Sequence, residues 1–306
     1  MVIMLPLPIK AFITQLGEEL MKIVKSLVIS SIILMTSAPV FANTFTFTAI
    51  PDQDESALKS RFNKIATYLS DRLSTKVKYI PVKSYSAAVT AFRNDQVQLA
   101  WFGGLSGVRA RRLVAGSQAI AQGAEDKSFT NYFIAHSSTG IKASKSFPKS
   151  IAGKTFTFGS KGSTSGRLMP EYHIRKNFNK SPSKIFKRVG FSGNHSRTIA
   201  LVQSGAFQVG AVNSAVWNKE LKSGKIDITK ISKIWTTPEY PNYNWSIRGD
   251  VESKYGAGFI NKVKKALLNM KDPNLLKQFP RSSFIPATNG DYSPIVSVGK
   301  DIGLLE

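Results

Sequence analysis

The chain has 306 residues, of which 42 are lysine or arginine and 19 are aspartate or glutamate, giving a formal net charge of +23. It contains no cysteine, which excludes disulfides, thiol catalysis, cysteine metal sites and lipid attachment through an N-terminal cysteine. Such an excess of positive charge suits a nucleic acid, an anionic surface or small anions. The lysines are scattered along amphipathic segments such as residues 261–268, which favours solvated helix faces, and we predict no nucleic-acid partner.

Residues 1–42 are typical of a secretory signal peptide. Lys22 and Lys25 precede an apolar run, residues 26–35, that is too short to span a bilayer comfortably. Val40-Phe41-Ala42 then offers small residues for cleavage before Asn43. The pattern predicts an exported protein, located in the periplasm.

The first twenty residues do not fit this signal. They carry two prolines and the pair Glu18-Glu19 upstream of the basic region, and neither belongs in such a leader. We interpret residues 1–20 as a doubtful extension and Met21 as the start.

Strands and helices alternate along the first part of the mature chain. Period-two alternation predicts strands at residues 44–51, 77–82, 97–102 and 131–136. Helical spacing predicts a helix after the acidic loop 52–56 and another over residues 85–93. This order is the signature of an α/β domain with a mainly parallel sheet.

A second α/β unit begins near Ile151. It contains a predicted helix over residues 197–204 and a predicted strand over residues 208–213. We place crossings between two lobes near residues 134–138 and 235–241, so that lobe 1 comprises residues 43–135 plus 240–306 and lobe 2 comprises residues 136–239. Two lobes joined by two extended segments form a cleft that closes by hinge motion.

The most informative segment is Thr155 to Gly166, an alternating strand that ends in a loop rich in glycine and hydroxyl groups. The loop leads into a helix, where free N–H groups and the helix dipole favour an anion. Ser163, Thr164 and Ser165 add three hydroxyl donors there, which exceeds what helix capping alone requires. We predict that this segment binds an oxyanion; it lacks the spacing of a P-loop.

Other candidate residues lie in the loops after predicted strands, where ligands bind in α/β sheets. His195 stands just before a helix, where it is equally suited to donate to an anion or to be a bystander. Glu55 invites a general-acid role, although helix capping is the commoner use of such a carboxylate. Alternation places Trp101 in the core and turns Phe102 toward the cleft mouth.

Catalytic and metal-binding patterns are missing from the sequence. The remaining histidines, His136 and His173, show no pairing with carboxylates at metal-ligand spacing. No nucleophile elbow, zincin motif or acidic pair at defined spacing is present. We predict a binding protein without cofactor or metal, and not an enzyme.

Several motifs together resemble the phosphate/phosphonate-binding periplasmic proteins of ABC importers. These motifs are Asp54-Glu55-Ser56, Val82-Lys83-Ser84-Tyr85, residues 100–106, Gly162-Ser163-Thr164-Ser165-Gly166 and Gly193-Asn194-His195. Through residues 156–170 and 189–203 the match is most similar to the selenate-binding branch of that family. The resemblance implies a two-lobed type II periplasmic binding protein that delivers an oxyanion to an inner-membrane permease with a cytoplasmic ATPase.

The resemblance also implies ligand contacts. The family's contacts fall on Tyr85, on Ser163, Thr164 and Ser165, and on His195. Phe102 stands where phosphonate binders have a tyrosine, which removes one hydroxyl donor. Asn213 stands where those binders place an acid that holds an amino group, which favours a small, bare oxyanion.

Two other functions remain open from the sequence. A secreted basic protein that binds a polyanion would show steep salt dependence, and a periplasmic phosphoesterase would show metal-dependent turnover. Phosphate, phosphite, methylphosphonate, selenate and sulfate share the tetrahedral shape that the hydroxyl cluster predicts. We expect a monomer.

Overall fold

The computed structural model describes residues 20–21 and 44–306. The predicted signal peptide and its cleavage site lie outside the described residues, apart from Leu20 and Met21. No helix in the described part is long and apolar enough to cross a membrane.

The first sheet has six strands. They are β1 (Phe45–Ala49), β2 (Val77–Tyr79), β3 (Leu99–Phe102), β4 (Gln118–Gly123), β10 (Asn244–Ile247) and β11 (Phe284–Pro286). Their order is β11-β4-β10-β3-β1-β2. The pairs β1–β2 and β1–β3 are parallel, whereas the three pairs that involve β10 or β11 are antiparallel. We call the part of the chain built on this sheet the first lobe.

The second sheet has five strands and forms the second lobe. They are β5 (Asn131–His136), β6 (Thr155–Phe158), β7 (Arg188–Phe191), β8 (Val209–Asn213) and β9 (Ile231–Thr236). The order is β7-β6-β8-β5-β9. The pairs β6–β7 and β6–β8 are parallel, and β5 pairs antiparallel with both β8 and β9.

The helices flank these sheets. They are α1 (Glu55–Leu73), α2 (Tyr85–Arg93), α3 (Gly104–Leu113), α4 (Met169–Phe178), α5 (His195–Gln203), α6 (Ser214–Lys222), α7 (Val251–Tyr255), α8 (Phe259–Leu268), α9 (Pro273–Leu276) and α10 (Ser293–Asp301). In α1, buried positions such as Leu58, Phe62, Ile65 and Leu69 recur every three or four residues, so one face packs on the first sheet.

The α/β class predicted from the sequence is confirmed, but the sheets are mixed and not mainly parallel. The reason is that the strands next to the crossings, β5, β9 and β10, run against their neighbours. Strand β5 also corrects the predicted boundary after residue 135, because its residues 131–135 pair within the second sheet.

The chain passes between the lobes just before β5 and again between β9 and β10. In these two crossing segments, Phe129 and Tyr240 exchange backbone hydrogen bonds of 2.9 Å in each direction. The crossings are thus a short two-stranded ribbon, a geometry in which small dihedral changes move one lobe relative to the other.

Aromatic side chains fill the core of each lobe. In the first lobe, Trp101, Trp245 and Phe279 have ring centroids 5.3–6.0 Å apart. In the second lobe, Phe133 contacts Phe156 and Trp235 at 5.8 and 5.3 Å. Rings at these distances pack tightly and hold the strand ends in fixed positions.

Candidate functional site

The candidate site lies where the carboxyl ends of two sets of parallel strands meet. In each lobe three adjacent strands are parallel, β2-β1-β3 in the first and β7-β6-β8 in the second. The loops after parallel strands emerge at one sheet edge, where ligands of α/β proteins bind. In the second lobe these loops bring together the hydroxyl cluster Ser163–Ser165, His195 and Asn213.

The hydroxyl cluster opens a helix whose first turn is wide. Thr164–Leu168 form a π-helical turn that continues into α4, and Leu168 N donates to Ser163 O at 3.0 Å. Ser163 caps this turn, since its Oγ accepts from Gly166 N at 2.9 Å. The N–H groups of Thr164 and Ser165 have no partner inside a helix at these positions, so they are available to an anion.

Only one of the three hydroxyls is used for capping the helix. Thr164 Oγ1 accepts from Leu105 N of α3, across the two lobes, at 2.9 Å. Ser165 Oγ lies 3.4 Å from His195 Nε2. All three side chains are buried. Helix capping therefore explains Ser163 but not the other two hydroxyls. Thr164 faces the first lobe, and Ser165 faces His195.

His195 is a neutral hydrogen-bond donor in this arrangement. Asn213 N donates to His195 Nδ1 at 3.3 Å, so Nδ1 carries no proton and Nε2 holds it, directed at Ser165. Burial lowers the pKa of His195 to about 4, although Asp52 opposes the shift. Its imidazole is consequently uncharged at neutral pH.

A hydrogen-bonded chain continues from Asn213 into the first lobe. Asn213 Nδ2 donates to the Tyr243 hydroxyl at 2.7 Å, and that hydroxyl donates to Asp52 Oδ2 at 2.8 Å. Asp52 is buried, and its backbone carbonyl accepts from His195 N at 3.0 Å. Asp52 and Tyr243 thus tie the first lobe to two loops of the second lobe.

Tyr85 approaches the hydroxyl cluster from the first lobe. It is the first residue of α2, a helix capped by Ser84, whose Oγ accepts from Ala87 N. Burial, with Asp52 nearby, raises the pKa of Tyr85 well above its ordinary value, while the Ser163 hydroxyl opposes this shift. The tyrosine is therefore neutral and lies beside Gly162 and Ser163 of the hydroxyl cluster.

Two predicted site residues lie elsewhere. Glu55 is exposed at the start of α1 and pairs with Lys83 at 3.1 Å on the surface. Phe102 does not face the cleft mouth, because its ring packs edge-to-face on Phe92 of α2 within the hydrophobic core of the first lobe. Trp101 is buried as expected, and it stacks on Tyr243 at 5.4 Å.

Three residues beside the site were not predicted from the sequence. Asp52 lies in the predicted acidic loop, next to the predicted Glu55. Tyr243 follows the second crossing, and Tyr240 lies within it, where its hydroxyl donates to Asn131 Oδ1 at 3.0 Å. Proline-bearing extended segments between lobes are the signal that could have drawn attention to these tyrosines.

The lobes are closed over the site. Tyr85, Ser163, His195 and Asn213 are each at most 2% exposed. A small cavity of about 10 Å³ beside the site is lined partly by Asp52, Trp101 and Asn213. No group of three or more metal-ligating side chains occurs among residues 44–306.

Comparisons with known proteins agree with this geometry. The family model described as "ABC transporter, phosphonate, periplasmic substrate-binding protein" matches residues 47–292. A Prochlorococcus marinus (strain MIT 9301) protein named "probable ABC transporter phosphite binding protein" is 40% identical and covers 91% of this chain and 97% of its own. A Mycolicibacterium smegmatis phosphate-import protein is 24% identical, covering 85% of this chain and 86% of its own.

The solved structure of the Prochlorococcus protein in complex with methylphosphonate superposes with a TM-score of 0.82. It is 40% identical and covers 86% of this chain and 100% of its own. This likeness confirms the type II periplasmic binding protein fold, while the assignment to the selenate-binding branch stays a prediction. The chain belongs to the family of periplasmic phosphonate substrate-binding proteins of ABC transporters and is a binding protein, not an enzyme.

Proposed function

We propose that this protein captures a small tetrahedral oxyanion of the phosphite and methylphosphonate class between its lobes. The observation that carries the proposal is the convergence of buried, uncharged donors from both lobes. Ser163, Thr164, Ser165 and His195 come from the second lobe, and Tyr85 comes from the first. The relatives named above, which bind phosphite, phosphate or methylphosphonate by name, support the same ligand class.

The donor set is matched to an anion with several acceptor oxygens. Hydrogen bonds from neutral donors to an ionised acceptor are stronger than those between neutral groups. The helix N-terminus at Thr164 adds its dipole to them. Asn213 Nδ2 donates to the Tyr243 hydroxyl, and Asn213 Oδ1 accepts from Val216 N at the start of α6. Because both amide atoms are engaged and the side chain carries no negative charge, Asn213 does not favour a ligand amino group. This supports a bare oxyanion over an aminophosphonate.

Capture requires motion of the lobes. The donors are buried in the closed arrangement, so an anion enters only when the lobes separate about the Phe129–Tyr240 ribbon. Binding then favours closure because only the closed state offers contacts from both lobes. We propose that the closed, loaded protein delivers the anion from the periplasm to an inner-membrane permease with its ATPase, that residues 1–42 direct export, and that the protein is a monomer.

Titration calorimetry tests the proposal with a panel of phosphite, methylphosphonate, phosphate, 2-aminoethylphosphonate, sulfate and selenate. We expect phosphite or methylphosphonate to bind most tightly. Ser163→Ala should weaken that ligand at least about tenfold, since a donor to a charged group contributes roughly 1.5–3 kcal/mol. Ser146→Ala, at an exposed position outside the site, should leave the affinity unchanged.

Two results would reject the proposal. If Ser163→Ala bound the best ligand as the wild type does, the hydroxyl cluster would not be the site. If no small anion bound while heparin bound with steep salt dependence, the protein would be a polyanion-binding protein.

A further inference from the structure

A groove lies beside the hydroxyl-cluster segment, and its lining includes none of the proposed oxyanion donors. Its volume is about 520 Å³, and both lobes line it. The first lobe supplies Arg109 of α3 and Leu304, and the second lobe supplies Lys161, Arg167, Glu171, Arg175 and Phe191. We call this feature the basic groove.

The basic groove is lined by four cationic side chains and one carboxylate, so its net charge is positive. Glu171, which is buried, is its one carboxylate, and it binds Arg167 Nε at 2.5 Å and Arg175 Nη2 at 2.7 Å. Within residues 44–306, no ion pair joins Arg109 or Lys161 to a carboxylate; Arg109 Nη2 donates instead to the carbonyl of Leu304 at 2.7 Å. Lys161 is exposed and Arg109 is partly buried, and cations gathered along one groove attract an anion.

Aromatic rings fix the geometry of the cations. Phe191 is 39% exposed and stacks on Phe158 with centroids 5.6 Å apart. The Arg167 guanidinium lies 4.7 and 4.8 Å from these two ring centroids, and Lys161 Nζ lies 5.3 Å from that of Phe191. A guanidinium held against rings keeps a fixed plane, which suits bidentate binding of carboxylates.

The position of the groove links it to closure. Phe191 ends β7, the edge strand opposite β9, which leads into the second crossing. The groove therefore lies on the side of the second sheet away from the crossings, where lobe separation displaces Arg109 and Leu304 most from the other lining residues. In the closed arrangement all four cations line one groove.

We propose that lobe closure assembles the basic groove as a binding surface for an acidic segment of a partner protein. Charge complementarity identifies the partner, because arginines that already chelate Glu171 suit further carboxylates. The exposed Phe191 ring offers apolar contact beside them. This inference rests on the proposed function, since an oxyanion is what closes the lobes.

A fluorescent hexaglutamate peptide followed by anisotropy tests the inference. Saturating methylphosphonate should raise the peptide affinity about tenfold. Arg109→Gln should lower peptide affinity about tenfold in that closed state and leave methylphosphonate affinity within twofold, because Arg109 lies outside the oxyanion-binding segment. Arg109 does not pair with Glu171, so the buried ion pairs persist. Lys59→Gln, with the same charge loss at an exposed position, should change neither affinity.

A covalent cross-link that holds the lobes closed tests the basic groove independently of oxyanion binding. The chain has no cysteine, and Asp54 and Lys225 approach to 3.6 Å across the lobes. Asp54→Cys/Lys225→Cys, joined by a short bismaleimide, should bind the peptide at full affinity without any oxyanion. Equal peptide binding by the locked and unlocked forms in the absence of oxyanion would overturn the inference. Equal losses in Arg109→Gln and Lys59→Gln would also overturn it, as would binding of phosphatidylglycerol vesicles in place of the peptide.

Discussion

The tyrosine and histidine side chains at the anion site are uncharged. Burial raises the pKa values of Tyr85, Tyr240 and Tyr243 well above the ordinary tyrosine value, and it lowers that of His195 to about 4. At neutral pH all four side chains are therefore neutral. A site of this kind binds anions through oriented dipoles, so its strength depends on exact hydrogen-bond geometry.

The free energy of unfolding should depend on pH because His195 is buried. Its folded pKa of about 4 lies below the unfolded value of 6.5, so between these pH values the unfolded chain binds more protons. Stability should fall as pH drops from about 6.5 to 4, by roughly 1.4 kcal/mol per pH unit. Urea unfolding of His195→Gln should show a shallower pH slope than the wild type, whereas Ser146→Ala, at an exposed position without an ionisable group, should keep the wild-type slope. An unchanged slope in His195→Gln would contradict the burial argument.

The loop pattern selected Ser163, Thr164, Ser165 and His195, and the family resemblance added Tyr85; the structure brings these side chains together. Asp52 and Tyr243 were not identified because their pairing joins loops that are 191 residues apart in the chain. Phe102 was misplaced because strand alternation gives two faces but does not say which one the cleft uses. Glu55 was misplaced because a helix N-terminal carboxylate can also pair with a surface lysine, as it does with Lys83.

At the scale of elements, the junction between β6 and α4 is compact. Gly159 N donates to Gly166 O at 2.7 Å, so the two ends of the loop touch. A methyl group at Gly166 would lie 3.0 Å from both His195 Cε1 and Ser163 Oγ. Glycine at this position lets the helix start approach the histidine.

Gly166→Ala should disturb this junction. Overpacking at such a contact costs typically about 1–3 kcal/mol, and movement of Ser163 and His195 should weaken oxyanion binding at least about tenfold. Calorimetry and thermal unfolding measure the two effects. Gly290→Ala, where the nearest atom to the new methyl group is 3.6 Å away, is the matched control. Wild-type affinity in Gly166→Ala would show that the close approach is unimportant.

A buried ion pair joins the first crossing to the segment before β11. Arg281 donates to both carboxylate oxygens of Asp126 at 2.6 and 2.7 Å, and both side chains are buried. The carbonyl of Asp126 also accepts from Asn242 N in the second crossing. This pair therefore anchors both crossing segments to the first lobe.

Arg281→Met should destabilise the protein by about 3–5 kcal/mol, because it leaves the Asp126 carboxylate buried without a partner. Chemical denaturation measures this loss. Lys83→Met breaks an ion pair whose side chains are 85% and 68% exposed, and it should cost less than about 1 kcal/mol. Similar losses in the two variants would refute the anchoring role.

Helices and strands were predicted correctly where the local residue pattern determines the secondary structure. The strand at residues 131–136 and the helix at residues 85–93 were placed at their observed bounds. Strand β11 and helix α3 were not identified. β11 has only three residues, and α3 is rich in glycine and arginine, so neither shows a strong apolar period.

At the scale of the whole molecule, closure depends on contacts between lobes. The direction of the strands beside the crossings was not predictable, because it follows from pairings between distant segments and not from local alternation. The Asn213–Tyr243–Asp52 chain is one of these long-range arrangements. Its groups are buried only while the lobes are together, so it acts on the balance between open and closed states.

Tyr243→Phe should shift that balance toward the open state. Loss of the hydroxyl leaves Asp52 and Asn213 without this partner in the closed form, at a cost of about 1–3 kcal/mol, while water can satisfy both in the open form. Oxyanion affinity should fall about tenfold or more, and small-angle scattering should show a larger radius with ligand present. Tyr68→Phe, which removes a hydrogen bond to Ala266 O inside the first lobe, should leave affinity unchanged. Equal affinities in both variants would exclude the role of Tyr243 in closure.

The bond between the Asp52 carbonyl and His195 N has an evolutionary consequence. Because it joins backbone atoms of the two lobes, most substitutions at either position preserve it. Side chains around the cleft can therefore be exchanged without removing this link between the lobes. Mutational change of ligand preference is thus compatible with an unchanged mode of closure.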